Sequence, residues 1–423
     1  MHPLNPRYIV IATILSPKRQ TQLEEKMRLI PDALKRSWNR GIIYTEGYFF
    51  VTMNVHDRLP ILGHMLGRYD AQTKQVVGAG VCLTNLGEAV LRCWQQIPSF
   101  HPHVELLDVQ IMPEHIHGLL KLSPPADEAL SRKACHLGVI IKGFMVGCTH
   151  AYWDILGLPW REMAGRTDGV TDTAWTDWRH KTSLRGPSLF APSYNDTVPF
   201  TPEEVATKLA YIRSNPERRI IKGTLRECFT IYRNQRSAHW NLDRVKHGLL
   251  SDYAMAHDSR ALDERLQELC QRLLTNDGGQ LCLSYVGRRE LLSHNHLLPL
   301  VCHRIDAELF DQQKTAVLRA ARDGAVIVSA FISPKERNIR DLLLQDGHPV
   351  VEILDNGMSG AYKPYGKFFY YCAESRLLQI TCWTYLYQQS PSVTRPMCMV
   401  MNELARLISG SADDWWKNYD NKL

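Results

Sequence analysis

The alternation of short apolar runs with helical stretches after Asp277-Gly278-Gly279 is the sequence feature that most restricts what this chain can fold into. Strands are predicted at 281–286, 325–330 and 350–354, with helices between them at 311–322 and 338–345. Strands that alternate with helices indicate βαβ units and a mostly parallel sheet. We therefore predict an α/β domain over residues 277–423.

The preceding part of the chain has a different pattern, which predicts an α+β domain over residues 41–250. The run Tyr48–Met53 is rich in β-branched and aromatic residues, as is typical of a buried strand. The other elements predicted in this domain are a strand region at 106–122, helices at 128–152 and 202–214, and a loop-rich stretch at 168–195.

Two further segments complete the predicted organisation. Residues 1–40 carry no recognisable chemistry and are treated as an N-terminal extension. Residues 251–276 have leucines at helical spacing and are interpreted as a linker helix. A chain of 423 residues is too long for one typical hydrophobic core, which agrees with two domains.

Composition excludes several classes of protein. With 44% hydrophobic and 22% charged residues the chain is typical of a folded globular protein. No window reaches the roughly 18 uninterrupted apolar residues of a membrane helix, and the apolar run at 8–15 lacks a small-residue cleavage site. The 11 cysteines are scattered and form no C-x-x-C pair, which predicts reduced thiols. We expect a cytoplasmic protein without a membrane segment.

His115 and His117 are the most informative candidates for chemistry. Alternate side chains of a strand point to the same face, so the two imidazoles converge while Ile116 points into the core. Neutral imidazole is a frequent ligand of divalent metals, and a His-x-His pair leaves positions for a third ligand, water and a phosphate oxygen. Surface or packed histidines are the alternative. The same spacing at His101 and His103 encloses a proline and is interpreted as structural.

Tyr211 lies in a helix with a clear start signal. Thr201-Pro202-Glu203-Glu204 combines an N-cap threonine, a proline at the first position and a capping-box glutamate. Helical spacing makes Tyr211 and Asn215 neighbours, and Pro216 is expected to help end the helix. A tyrosine there can attack a phosphodiester, and the asparagine amide oxygen can complete a metal shell. A tyrosine that only packs at the helix edge is the alternative.

Basic residues are concentrated near the end of the first predicted domain, although the whole chain has a net charge of only +6. Such a cluster suits the tracking of phosphates, and a solvated basic face explains it equally well. Its members are Arg213, Arg218, Arg219, Lys222, Arg226, Arg233, Arg236, Arg244 and Lys246.

Together these pieces resemble the REP-associated tyrosine transposases, which belong to the HUH endonucleases. The likeness covers roughly residues 45–220 and is carried in the same order by Gly47–Thr52, Met112–Gly118, Lys142-Gly143-Phe144 and Tyr211–Pro216. The resemblance implies an antiparallel sheet with helices, single-stranded or hairpin DNA as the partner, and Mg²⁺ or Mn²⁺ as the cofactor. It allows a homodimer, since the family contains both monomers and dimers. The spacing between His117 and Tyr211 is long and includes a tryptophan-rich insertion.

Carried over residue by residue, the resemblance implies His115, His117 and Asn215 as metal ligands. Tyr211 becomes the nucleophile that forms a 5′-phosphotyrosine bond with single-stranded DNA. The residues expected to contact the DNA are Lys142, Arg213, Arg218 and Arg219.

The C-terminal half is similar to the Rossmann-like core of the DNA-processing protein A (DprA) family. The likeness is carried by Tyr285–Arg289, Gly324–Ser329, Pro349–Gly357 and Tyr362-Lys363-Pro364. In such sheets the default ligand position is a loop at the carboxyl end of a parallel strand. Ala330 replaces the family's glycine, and Ile332–Lys335 replaces a glycine-aspartate pair, which leaves phosphate binding open.

The sequence therefore supports two hypotheses about function. The leading hypothesis is a single-strand DNA endonuclease and strand transferase. The alternative is a DNA-binding or nucleotide-sensing protein that keeps the fold for regulation, repair or defence.

Overall fold

The computed structural model describes residues 44–124, 136–158, 188–241, 245, 269, 271–276, 278–302, 307–360, 362–387 and 393–419. The chain divides into two compact units, Met1–Ile220 and Ile221–Leu423. The predicted extension 1–40 and most of the predicted linker helix 251–276 lie outside the described residues. Within those residues, none of the helices combines the length and hydropathy that crossing a bilayer requires.

The N-terminal unit contains a four-stranded antiparallel sheet in the order β4-β5-β1-β6 and a separate two-stranded hairpin, β2-β3. Its elements in chain order are β1 (Gly47–Val55), β2 (Gly63–Asp70), β3 (Gln75–Leu83), α1 (Asn85–Gln95), α2 (Ile97–Phe100), β4 (Val104–Met112), β5 (His115–Leu122), α3 (Leu137–Ile155), β6 (Phe190–Thr197) and α4 (Pro202–Thr224).

Alternation along β1 and β5 gives this sheet two different faces. Phe49 and Ile116 point to one face, where they form a core with Trp94 of α1 and buried residues of α3. Phe50 points to the opposite face, where it packs with Ile212 of α4. Helices therefore cover both faces, and α4 lies on the face to which the odd-numbered residues of β5 point.

Three predicted elements of this unit differ in extent from the structure. The single strand region at 106–122 is a hairpin, because Pro113 and Glu114 form a turn between β4 and β5. The helix predicted at 128–152 begins at Leu137 within the described residues. The stretch at 168–195 is described only from residue 188, and most of that part belongs to β6.

The expectation that Pro216 helps end its helix is wrong, since α4 continues to Thr224. A proline inside a helix removes one backbone hydrogen bond and costs about 3 kcal/mol. Ile212 before it and Ile221 after it are both buried. Packing on either side of the proline keeps the helix continuous against this local cost.

The C-terminal unit contains a six-stranded sheet in the order β7-β8-β12-β11-β10-β9. Strands β9 to β12 are parallel, whereas β8 is antiparallel to β12 and to β7. Its elements are α5 (Arg226–Phe229), β7 (Tyr232–Asn241), β8 (Gln280–Gly287), β9 (Leu297–Pro299), α6 (Ala307–Arg322), β10 (Val326–Ser329), α7 (Pro334–Gln345), β11 (Val350–Ile353), α8 (Lys367–Ala373), β12 (Leu377–Thr381) and α9 (Arg395–Ser409).

Strand β7 belongs to the C-terminal sheet, although the predicted domain limit of 41–250 places it in the first domain. It pairs with β8, and Tyr232 stacks on Tyr285 with ring centroids 4.9 Å apart. The division between the units therefore falls at Ile220 and Ile221, inside α4. The pairing of two strands far apart in sequence could not be read from local pattern.

The run Ile332–Lys335, which departs from the DprA pattern, contains the start of α7. Ser333 accepts a hydrogen bond from the Glu336 amide at 3.1 Å, and Glu336 accepts one from the Ser333 amide at 2.8 Å. This reciprocal capping box, with Pro334 at the first helical position, explains the local sequence by helix initiation.

Candidate active site

The strand β5 places His115 and His117 on the same face of the N-terminal sheet, as alternation predicts. Ile116 between them is fully buried on the other face. Residue 118 is a glycine because the indole of Trp94 occupies the space that a side chain would need. A Cβ built at Gly118 would lie 2.3 Å from the Trp94 ring. The motif is thus supported from the opposite side of the sheet by a buried tryptophan.

The two imidazoles face each other through their Nε2 atoms, which lie 3.1 Å apart. The Nδ1 of His117 lies 2.9 Å from the Thr52 hydroxyl, which comes from the directly opposed position of β1. The Phe50 ring stacks on the His117 ring at a centroid distance of 5.3 Å. Contacts on two sides therefore fix the orientation of the His117 ring.

Tyr211 lies beside this pair. Its ring centroid is 5.3 Å from that of His117 and 5.9 Å from that of Phe50, with both rings approached edge-on. The position follows from α4, which begins where the Thr201 side chain accepts a hydrogen bond from the Glu204 amide. The structure therefore brings His115, His117 and Tyr211 together. Asn215, one turn further along α4, is buried at 9% exposure.

Cationic side chains of α4 lie against the Tyr211 ring and against its neighbour Phe50. The Arg218 guanidinium lies 5.6 Å from the Tyr211 ring centroid, and the Lys208 ammonium lies 4.9 Å from that of Phe50. Burial lowers the pKa of Lys208, against the opposite effect of Glu204. Arg213 donates to the Asp108 carboxylate at 2.9 Å, with its side chain 70% exposed. These cations would attract a phosphate backbone.

Glu114, in the turn before β5, is buried at 5% exposure and lies close to His115 and Arg219. Its Oε1 atom is 3.5 Å from the Nδ1 of His115 and 3.1 Å from the Arg219 guanidinium. The His115 side chain and the Arg219 charge lower the pKa of Glu114, although burial raises it. The buried carboxylate is therefore favoured in its charged form.

Lys142 is the one expected DNA contact that the structure does not bring to this group. It is exposed on α3, whose Ile140, Ile141 and Phe144 pack in the core on the other face of the sheet. The sheet therefore separates Lys142 from the histidine pair.

The donor set suits a divalent cation. Two ligands bound about 2.1 Å from one ion at a right angle are about 3.0 Å apart. The observed separation of the two Nε2 atoms is 3.1 Å. Among the described residues no group of three or more His, Cys, Asp or Glu side chains could hold a metal. A metal here would therefore depend on the two imidazoles, water and an amide oxygen such as that of Asn215.

Sequence reasoning missed Thr52 and Asn54, which oppose His117 and His115 from β1. Glu114 belongs to the same motif as the two histidines, but the sequence pattern assigns it no role. The strand β1 itself was predicted, so alternation along it was available as a signal. The pairing register that places these two side chains against the histidines was not.

Comparison with known proteins finds limited likeness. No family model matches the chain. An uncharacterized protein from Haemophilus influenzae is 30% identical over 78 residues, which cover 18% of this chain and only 37% of the length of that protein.

Among solved structures, a protein of Deinococcus radiodurans assigned to the transposases is similar at 14% identity and a TM-score of 0.22, covering 41% of this chain and 94% of that one. A REP-associated tyrosine transposase bound to a REP hairpin is similar at 17% identity and a TM-score of 0.21, covering 40% and 67%. DNA processing protein A from Helicobacter pylori is similar at 16% identity and a TM-score of 0.23, covering 30% and 57%. None of these likenesses is large enough to assign a family or an activity.

Proposed function

We propose that the N-terminal unit is a metal-dependent endonuclease and strand transferase for single-stranded DNA, with Tyr211 as its nucleophile. The observation that carries this proposal is the position of the Tyr211 ring, 5.3 Å from the ring of His117, whose Nε2 faces that of His115. A phenol beside two imidazoles that can share one divalent ion is a constellation suited to phosphoryl transfer.

His115, His117 and Asn215 would hold Mn²⁺ or Mg²⁺, which would polarise the scissile phosphate and stabilise its developing charge. The Tyr211 oxygen attacks phosphorus, a Tyr–O–P bond forms and the P–O3′ bond breaks. The phenolic proton is lost to solvent, and the 3′ oxygen takes a proton from solvent and leaves as a hydroxyl. The resulting 5′-phosphotyrosine keeps the energy of the broken bond, so attack by another 3′-hydroxyl can rejoin the strand without a nucleotide cofactor.

The cationic side chains on α4 are suited to holding the strand for this step. Arg218 lies against the Tyr211 ring, and Arg213 and Arg219 are more than half exposed while each pairs with an acidic side chain. Contacts of this kind fix the register of a strand without reading its bases. Lys142 would contact only DNA that extends past the other face of the sheet.

The test is the formation of a covalent adduct. We expect the full-length protein, incubated with a single-stranded DNA hairpin and Mn²⁺, to give a protein-DNA adduct that survives denaturation. Tyr211→Phe should abolish the adduct and leave DNA binding nearly intact, because only the attacking oxygen is removed. Tyr194→Phe is the matched control, since Tyr194 packs in the core on the other face of the sheet. An undiminished adduct in Tyr211→Phe would show that another tyrosine is the nucleophile.

A second candidate function concerns the C-terminal unit, which we propose to be a Rossmann-type, DprA-like domain that binds a phosphate-bearing ligand such as a nucleotide. The observation that favours it is a cavity of about 390 Å³ lined by Lys222, Arg233 and Lys363 together with the rings of Phe229 and Tyr362. Tyr362 and Lys363 lie in the segment that follows β11, and the carboxyl end of a parallel strand is the usual ligand position in such a sheet. Cations beside aromatic rings suit a phosphate joined to a base.

A further inference from the structure

Buried polar atoms without a hydrogen-bond partner are concentrated around His115. Seven such side-chain atoms occur among the described residues, and three of them are the Nδ1 of His115, the Oε2 of Glu114 and the Oδ1 of Asn54. Glu114 precedes His115 in the chain, and Asn54 opposes it across the sheet. A buried polar group left unsatisfied costs about 1–3 kcal/mol, so such a concentration calls for an explanation.

The tautomers of the two rings explain the first of these atoms, the Nδ1 of His115. A neutral imidazole that offers the Nε2 lone pair to a cation carries its proton on Nδ1, and that N–H needs an acceptor. For His117 the acceptor is the Thr52 hydroxyl oxygen, 2.9 Å from Nδ1. For His115 the available acceptor is the Glu114 carboxylate, whose Oε1 lies 3.5 Å from Nδ1. A shift of about half an ångström would complete a hydrogen bond of ordinary length.

We propose that Thr52 and Glu114 are the positioning residues of the site, which fix both imidazoles with their Nε2 lone pairs directed at one divalent cation. The inference rests on the proposed function of the N-terminal unit. Outer partners of this kind orient metal-bound histidines and raise their basicity, and loss of one typically weakens metal binding by about 10–100-fold.

Arg219 has a part in this arrangement that differs from the DNA contact expected of it. Its guanidinium lies 3.1 Å from the Oε1 of Glu114, while 52% of the side chain remains exposed. The ion pair holds the Glu114 carboxylate beside the His115 ring. Arg219 therefore supports His115 through Glu114, and its exposed part is still available to a phosphate.

The experiment measures Mn²⁺ affinity of the full-length protein by titration calorimetry. We expect Glu114→Gln and Thr52→Val each to weaken Mn²⁺ binding by about 10–100-fold. Thr52→Ser, which keeps the hydroxyl, should stay within about threefold of the parent, since the outer partner remains. Glu105→Gln is the matched control, because Glu105 lies on β4 with its side chain 62% exposed and pairs with Lys121 at 3.7 Å.

Saturating Mn²⁺ separates positioning from general damage. For Glu114→Gln and Thr52→Val the rate of adduct formation should return towards that of the parent as Mn²⁺ is raised, because the ligands themselves are still present. Unchanged Mn²⁺ affinity in both variants, with a parent that binds Mn²⁺, would overturn this inference alone. A parent that binds no Mn²⁺ would overturn the inference and the proposed metal-dependent function together.

Discussion

Glu114 of the N-terminal unit and Glu352 of the C-terminal unit are both buried beside an arginine, and the two glutamates differ in how completely they are satisfied. Glu352 of the C-terminal unit accepts hydrogen bonds on both oxygens, from Arg340 and from Gln379, each at 2.6 Å. Glu114 of the N-terminal unit has a buried oxygen without a partner, and its arginine, Arg219, is half exposed. Burial of a carboxylate therefore does not mark a site by itself. An unsatisfied oxygen beside candidate ligands is the more informative sign.

The closed network around Glu352 extends further. Gln379 also accepts a hydrogen bond from the Tyr362 hydroxyl at 2.9 Å, and the Arg340 guanidinium lies 4.5 Å from the Phe368 ring centroid. Every member has a partner within the unit, so the network needs no ligand to complete it. Its role is to hold the strands β11 and β12 and the segment after them.

The largest expected effect tests the metal-dependent chemistry proposed for the N-terminal unit, in which Glu114 lies. Replacing both His115 and His117 with alanine should eliminate the covalent adduct at any Mn²⁺ or Mg²⁺ concentration, because a lone amide oxygen cannot hold a divalent ion against water. The measurement is denaturing electrophoresis of the protein with labelled hairpin DNA.

The matched control for that variant replaces His101 and His103 with alanine. These residues have the same spacing, but their rings lie at 88° to each other near the start of β4, at the far end of the hairpin from His115. This control should keep the adduct. If the His115 and His117 double variant cuts as fast as the parent, the histidine pair is structural and the alternative of a DNA-binding protein is favoured.

The next largest effect tests the hydrogen-bond network around Glu352 in the C-terminal unit. Glu352→Ala should lower the free energy of unfolding by about 3–5 kcal/mol, since it removes the buried carboxylate that accepts from both Arg340 and Gln379 and leaves Arg340 with the longer contact to Asp341 at 3.3 Å. Mn²⁺ affinity of the folded protein should not change. Glu290→Ala is the control, because Glu290 is 75% exposed and its ion pair with Arg288 is long at 3.7 Å. The measurement is urea unfolding of the parent, Glu352→Ala and Glu290→Ala. If both variants lost the same free energy of unfolding, the contrast between a satisfied buried network and a surface ion pair would be wrong.

The smallest effect concerns the basic cavity of the C-terminal unit. A nucleotide present at 100 times its dissociation constant should stabilise the protein by about 2.7 kcal/mol, which a thermal unfolding scan detects. Lys363→Ala should reduce this stabilisation, whereas Lys314→Ala on α6 should not. Identical melting curves with and without nucleotides, over millimolar concentrations, would remove the second candidate function.

Much of the local structure could be predicted from sequence, because local physics determines it. The start of α4 follows from Thr201 and Pro202, and the shared face of His115 and His117 follows from strand alternation. Strand register and helix continuation could not be predicted in this way. Thr52 meets His117 only because β1 and β5 pair in one particular register, and α4 passes Pro216 only because packing outweighs the proline's cost. The assignment of β7 to the C-terminal sheet likewise depends on a partner strand distant in the chain.

The contact between Gly118 and Trp94 has a consequence for any survey of variants of this protein. Because the indole fills the space behind Gly118, almost every substitution at this position should be lost from a library selected for activity. Gly118 would then score like the residues proposed to hold the metal, although it has no side chain to offer a substrate. Measurements of which substitutions the motif tolerates will therefore record the shape of the core behind the sheet as well as the chemistry proposed for its other face.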